Sequence, residues 1–111
     1  MDTLDQYRDT IQTILQQYAA IPYSYGQVTT ELIVSQDRNH FLLIDEGWKD
    51  GLRVHGCLVH VQIRNEKIWI QRDGTEDGIT DELVAAGIPK DKIVLAFHPP
   101  EVRQYTGYAV R

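Results

Sequence analysis

The stretch Arg53-Val-His-Gly-Cys-Leu-Val-His60-Val-Gln-Ile-Arg-Asn65-Glu-Lys-Ile-Trp-Ile-Gln-Arg-Asp73 decides the fold. Residues 53–64 read as the longest strand, and 67–73 as a second strand, with Asn65-Glu66 as a two-residue turn between them. The turn is imperfect, because a type I′ hairpin prefers glycine where Glu66 stands. A two-residue loop pairs Arg64 with Lys67, Ile63 with Ile68, Gln62 with Trp69 and Val61 with Ile70. Apolar then meets apolar on one face, as register logic requires. Strict alternation puts Cys57, Val59, Val61 and Ile63 on that face and Leu58, His60, Gln62 and Arg64 on the other. The second face is half-polar and carries a large aromatic, Trp69, beside His60, Gln62 and Gln71. Such a face is either solvated or an interface.

Upstream of this hairpin, His40 to Glu46 is a dense apolar strand that reads as covered on both faces. Gly47 to Gly51 reads as a break. Val28 to Gln36 alternates, with Val28, Thr30, Leu32 and Val34 on one face, and Asp37-Arg38-Asn39 is a turn. Residues 23–27 read as a loop. Residues 3–20 form an amphipathic helix, in which Leu4, Tyr7, Ile11, Ile14, Leu15 and Tyr18 recur at steps of three and four. Thr3 and Gln6 make a capping box, Asp2, Asp5 and Asp9 suit the positive helix N-terminus, and Pro22 stops the helix.

Downstream, a second helix is expected over roughly 77–86, capped by Asp77 or Thr75. Gly87 suits the left-handed position after it, Ile88 the apolar residue that follows, and Pro89 forbids continuation. Ile93 to Phe97 is a short apolar strand that His98-Pro99-Pro100 breaks. The tail from Glu101 to Arg111 carries Val102, Tyr105, Tyr108 and Val110. It is too apolar for a free end, so it is expected to dock on the domain or on a partner. The order α-β-β-β-β-α-β plus a C-terminal tail predicts an α+β fold with a mainly antiparallel sheet, as one domain over 1–111.

Composition narrows the function classes. The chain has 111 residues, with 11 Lys and Arg against 16 Asp and Glu, for a formal charge of −5. That balance argues against a protein that works mainly by neutralising phosphates. A single cysteine makes no internal disulfide, which fits a reducing compartment. No apolar run approaches the ~20 residues needed to cross a bilayer, and the first five residues show no secretory pattern. The expectation is a soluble cytoplasmic protein.

Catalytic templates fail one after another. There is no phosphate-binding glycine loop, no Cys-x-x-Cys and no His-Glu-x-x-His. Asp73, Thr75, Asp77 and Gly78 match the first half of a calcium loop, but its twelfth position is Val84, where a bidentate Glu is required. His55 and His60 are five apart on one strand, which by strict alternation puts them on opposite faces. Cys57 sits mid-strand on an apolar face, a setting that makes a thiol inert. A metal-assisted hydrolase would have to use Asp73, Glu76 and Asp77, with His98. A DNA-binding module would have to use Arg53, Arg64, Lys67 and Arg72.

Longer strings then carry a resemblance. Arg53-Val-His-Gly-Cys-Leu-Val-His60 and Lys67-Ile-Trp-Ile-Gln-Arg-Asp-Gly-Thr-Glu76 are two of them. Ala86-Gly-Ile-Pro-Lys90, Ile93-Val-Leu-Ala-Phe-His-Pro-Pro-Glu-Val-Arg103 and Tyr105-Thr-Gly-Tyr-Ala-Val110 are three more. Together they resemble the XisI family, the fdxN-element excision controlling factors of cyanobacteria. The resemblance covers nearly the whole chain. It implies a role beside a site-specific recombinase and a second factor, XisH, which resembles an endonuclease fold, in excising a DNA element during heterocyst development. It brings no catalytic residues and no cofactor. The expectation is a non-enzymatic regulatory partner that binds an XisH-type protein, or a second copy of itself as a homo-oligomer. The expected contacts are the face of His60, Gln62, Trp69 and Gln71, and the tail through Tyr105 and Tyr108, because aromatics anchor interfaces.

Overall fold

A computed structural model describes residues 3–21 and 27–111. The expected loop over 23–27 and the roles of Asp2 and Pro22 fall wholly or mostly outside the described residues. Helix α1 spans Thr3–Ala19, and the strands are β1 (Gln27–Val34), β2 (His40–Lys49), β3 (Leu52–Arg64), β4 (Lys67–Asp73) and β5 (Ile93–Leu95). Helix α2 (Thr80–Ala85) lies between β4 and β5, a single 3-10 turn (Lys90–Lys92) precedes β5, and α3 (Pro100–Arg103) follows it. The sheet order is β1-β2-β3-β4-β5, antiparallel except for the parallel β4–β5 pair. This is the expected α+β order. Among the described residues, no helix is long and apolar enough to cross a membrane.

The β3–β4 hairpin has the register read from the sequence, from Val61 opposite Ile70 to Arg64 opposite Lys67. Asn65 and Glu66 both have positive φ, at 52° and 62°, as a type I′ turn demands. Glu66 is a non-glycine residue held in the left-handed region, at a cost of roughly 1–2 kcal/mol. Glu66→Gly is therefore expected to raise stability by about 0.5–1 kcal/mol, once the extra entropy of glycine in the unfolded chain is subtracted. Urea unfolding would read this as a higher midpoint at unchanged slope. A lower midpoint would mean that Glu66 makes a contact worth more than its strain.

Two corrections follow from bulges. The β2–β3 register shifts between Leu43 and Ile44, so Leu43 faces Val59 while Ile44 faces Cys57, and Leu58 is the extra residue. Leu58 therefore packs against the core cluster instead of standing beside His60. Cys57 leaves the Val59 face and joins the face of Ile44. His55 comes onto the same face as His60. The β3–β4 register shifts between His60 and Val61, leaving Gln71 extra and Arg72 opposite His60.

A third correction concerns residues 47–51. Strand β2 continues to Lys49, and β3 begins at Leu52. Only Asp50-Gly51 turns, with φ of 53° and 76°, the aspartate–glycine form of the same hairpin turn. The radius of gyration is 14.7 Å, against about 13 Å expected for a compact chain of this length. The β2–β3 arm, with Trp48 and Leu52 exposed at its tip, accounts for the elongation.

The core lies on one side of the sheet. Phe41, Leu43, Val59, Val61, Ile68, Ile70 and Ile93 meet Ile11, Ile14 and Leu15 of α1 and Leu83 of α2, and nearly all are fully buried. Arg8 fastens α1 to the β1–β2 turn through the Arg38 carbonyl and the Asn39 side chain, and Arg38 reaches back to Asp9. The Tyr18 hydroxyl is pushed up to about 12 by burial and by its hydrogen bond to Glu82, joining α1 to α2. The second helix is shorter than expected, and neither Asp77 nor Thr75 caps it. No side chain caps its first turn, and Asp73 at the end of β4 instead holds the loop that leads into it. Its carboxylate accepts from the Ile79 amide at 2.8 Å, and from the Thr75 amide at 3.0 Å and the Thr75 hydroxyl at 2.5 Å. The far end is a Schellman closure, with Gly87 at φ 105° and its amide on Val84, and the Ile88 amide on Leu83.

The candidate interface on the open sheet face

Helices α1 and α2 both pack on the Phe41 side. By register, the other side carries Ile33 of β1, His40, Leu42, Ile44, Glu46 and Trp48 of β2, and Arg53, His55, Cys57, His60, Gln62 and Arg64 of β3. Lys67, Trp69 and Arg72 extend it across β4. Leu42 and Ile44 are only half-buried, which overturns the expectation that this strand is covered on both faces. Among the described residues, α3 and the end of the tail reach this side, over β4, through Arg103 against Trp69 and Arg111 against Lys67.

Four of the six expected interface residues share this face. The Gln71 amide donates to the Gln62 side-chain carbonyl at 3.1 Å. His60 lies against His40, with 3.1 Å between Nε2 and Nδ1. Trp69 anchors the same face, but its indole is 7% exposed. Its Nε1–H donates to the Arg64 carbonyl at 3.0 Å. The Arg64 guanidinium lies 4.6 Å from the ring centroid and that of Arg103 5.7 Å, both within cation–π range. Any molecule meeting this region touches guanidinium before indole.

The two tail tyrosines part from this group and from each other. The tail docks on the domain itself. The Ala109 amide donates to Ile93, and Val94 bridges Ala109 in parallel. Arg103 clamps the segment by donating to the carbonyls of His98 and Ala96. Tyr108 packs against the core and lines a surface cleft of about 350 Å³ with Asp73, Glu76, Asp77 and Phe97. Tyr105 stands outward, 81% exposed.

That cleft gathers the three carboxylates a hydrolase would use, without His98 among its lining residues. Asp73 is already engaged in holding the loop that leads into α2. Among the described residues, no three His, Cys, Asp or Glu side chains converge as a metal site. Burial pushes the Cys57 thiol up, away from the thiolate a nucleophile needs.

The basic residues tell a different story from the net charge. Arg53, Arg64, Lys67 and Arg72 all lie on the open face, opposed there by Glu31 and Glu46. The acidic excess sits elsewhere, on α1, the 73–77 turn and α2. Each of these cations is already occupied. Arg53 lies 5.4 Å from the Trp48 ring and 3.8 Å from Glu46, and Arg72 donates to the Cys57 carbonyl at 2.8 Å. Lys67 donates to Arg111, and Arg64 covers Trp69. Residues the sequence reading missed on this face are Ile33, His40 and Trp48. The Asp-Gly turn was the available signal for Trp48, since it extends β2 through that position.

Comparison with known proteins agrees with the quoted strings. A family model described as XisI protein matches residues 1–110. A XisI-like protein from Anabaena variabilis ATCC 29413 has a crystal structure that superposes with a TM-score of 0.89 at 35% identity, covering 98% of this chain and 100% of that one. The fdxN element excision controlling factor XisI from the same organism superposes with a TM-score of 0.81 at 38% identity, covering 99% of this chain and 100% of that one. None of the curated proteins matches the chain.

Proposed function

This chain belongs to the XisI family, and on that premise we propose that it is a non-catalytic factor controlling excision of a DNA element. It acts by protein–protein contact with an XisH-type protein or a recombinase. The observation that supports this reading is the open sheet face. A five-stranded sheet normally buries both faces or solvates one with polar residues. Here the uncovered face carries exposed Ile33 and Trp48 beside half-buried Leu42 and Ile44, ringed by arginines. Aromatic and arginine side chains with a small apolar centre are the composition of interface cores.

The same cluster of cations supports a second reading, contact with DNA phosphates through Arg53, Arg64, Lys67 and Arg72. Their engagement with backbone carbonyls and indoles favours the protein partner, since cations held along the sheet reach less far towards a phosphate. Salt separates the two readings. DNA binding falls steeply with ionic strength, by roughly one power of salt concentration per phosphate neutralised.

The test is co-purification with an XisH-type protein from the same genome. The wild type is expected to be retained, and an Ile33→Asp/Trp48→Ala variant to bind at least 10-fold more weakly with its melting temperature nearly unchanged, because both side chains are exposed. Equal binding by the two forms would sink the interface. Size-exclusion chromatography of the protein alone reads whether a second copy takes the partner's place.

A further inference from the structure

Two imidazoles meet on the open face. His40 opens β2 opposite Gln62, and His60 lies on β3 opposite Leu42, so the two are diagonal neighbours across an antiparallel pair. Nδ1 of His40 stands 3.1 Å from Nε2 of His60, with the ring centroids 5.3 Å apart and the planes inclined by 32°. Asp37, in the turn that leads into β2, is near enough to His40 to interact with it electrostatically.

We propose that His40 and His60 form a two-imidazole site for a borderline divalent transition ion, Zn²⁺, Ni²⁺ or Cu²⁺, with its remaining positions open. Spacing is the first argument. Two nitrogens each about 2.05 Å from one ion stand about 2.9 Å apart at a right angle and about 3.35 Å apart at the tetrahedral angle. The 3.1 Å observed lies between these values, so the ion needs rotation of the rings and no movement of the strands.

Donor chemistry is the second argument. In the resting pair one ring donates its N–H to the other. On binding, that ring changes tautomer, taking its proton on the nitrogen facing away from the ion, and no net proton is released. Both donors are imidazole nitrogens and no oxygen cage surrounds them, which selects zinc, nickel or copper and excludes magnesium and calcium.

Openness is the third. No third His, Cys, Asp or Glu converges with the pair among the described residues. Two or more coordination positions are left to water, or to a side chain from a molecule docked on the same face. The site stands on this chain's own residues and holds whether or not the excision reading does.

Titration calorimetry at pH 7.5 tests it, using the zinc and nickel chlorides in a non-chelating buffer. One ion per chain is expected, with micromolar affinity. His40→Ala and His60→Ala should each weaken binding at least 10-fold, and His55→Ala, on the same face but farther along β3, should leave it unchanged. Magnesium and calcium should give no binding heat. No binding at 100 µM ion, or a site that survives both substitutions, overturns the proposal. Electron paramagnetic resonance of the Cu²⁺-loaded wild type does not depend on the variants folding. Two coupled nitrogens support the site, and none or one overturns it.

Discussion

Gly47→Ala is expected to cost at least about 3 kcal/mol, enough to unfold much of the population near room temperature. Gly47 lies within β2 opposite Val28, with φ at 152°, and is buried. A Cβ built there would stand 1.8 Å from the Gln27 carbonyl oxygen and 2.7 Å from the Val28 Cα. Both obstacles are backbone, so no side chain can swing aside. The chain's remaining escape is to push β1 away from β2. β1 is an edge strand, held within the sheet by β2 alone. Its displacement would break the pairs from Gln27 to Thr30 and expose Val28, now 9% exposed. Gly51→Ala is the control. Gly51 also has positive φ, at 76°, but a Cβ there meets nothing within 4 Å. It should cost only the left-handed strain of about 1 kcal/mol. Urea unfolding of both variants separates close approach from dihedral strain, and equal losses would refute the close-approach account.

The contrast between these glycines shows what a single sequence reveals. Asp50-Gly51 is a local signal, since two residues specify the turn by their own dihedral freedom. The need for glycine at position 47 is set by a strand nineteen residues earlier, and nothing beside Gly47 announces it. Register was legible where a short turn pins it, as from Arg64–Lys67 to Val61–Ile70. It was lost where Leu58 and Gln71 bulge, because an extra residue has no composition of its own. Those two residues reassign the open face. They bring His55, Cys57 and Arg72 onto it and gather all four of the basic residues first considered for DNA.

The tail follows the same logic. Its apolar spacing correctly announced docking, but the direction of docking is set by the Val94–Ala109 bridge and the Arg103 clamp. Tyr108 therefore turns to the acidic cleft while Tyr105 points outward. Net charge was the least informative quantity. A total of −5 is the sum of an acidic helical side and a basic sheet face, and a partner meets one side at a time.

Trp69→Ala is expected to lose about 3–4 kcal/mol, the range for removing a buried tryptophan. The indole is 7% exposed, between strand neighbours Ile68 and Ile70 that are fully buried, and opposite Val94, also fully buried. Its removal leaves the Arg64 carbonyl without the indole donor and takes the platform from beneath two guanidiniums. One of these, Arg103, holds the tail, so residues 104–111 should become sensitive to protease before the rest of the domain. A loss below 1 kcal/mol would mean that the indole is not a structural anchor. The functional consequence is that failure of Trp69→Ala to bind a partner says nothing about an interface, because the variant has lost the face itself. Trp69→Phe makes the distinction. It keeps a ring under the guanidiniums and removes only the N–H, costing roughly 1–2 kcal/mol. If the partner reads the arginine layer and the apolar stripe, binding by Trp69→Phe stays within about threefold of wild type. If binding collapses while the fold holds, the indole itself is the contact, and the face must open to expose it.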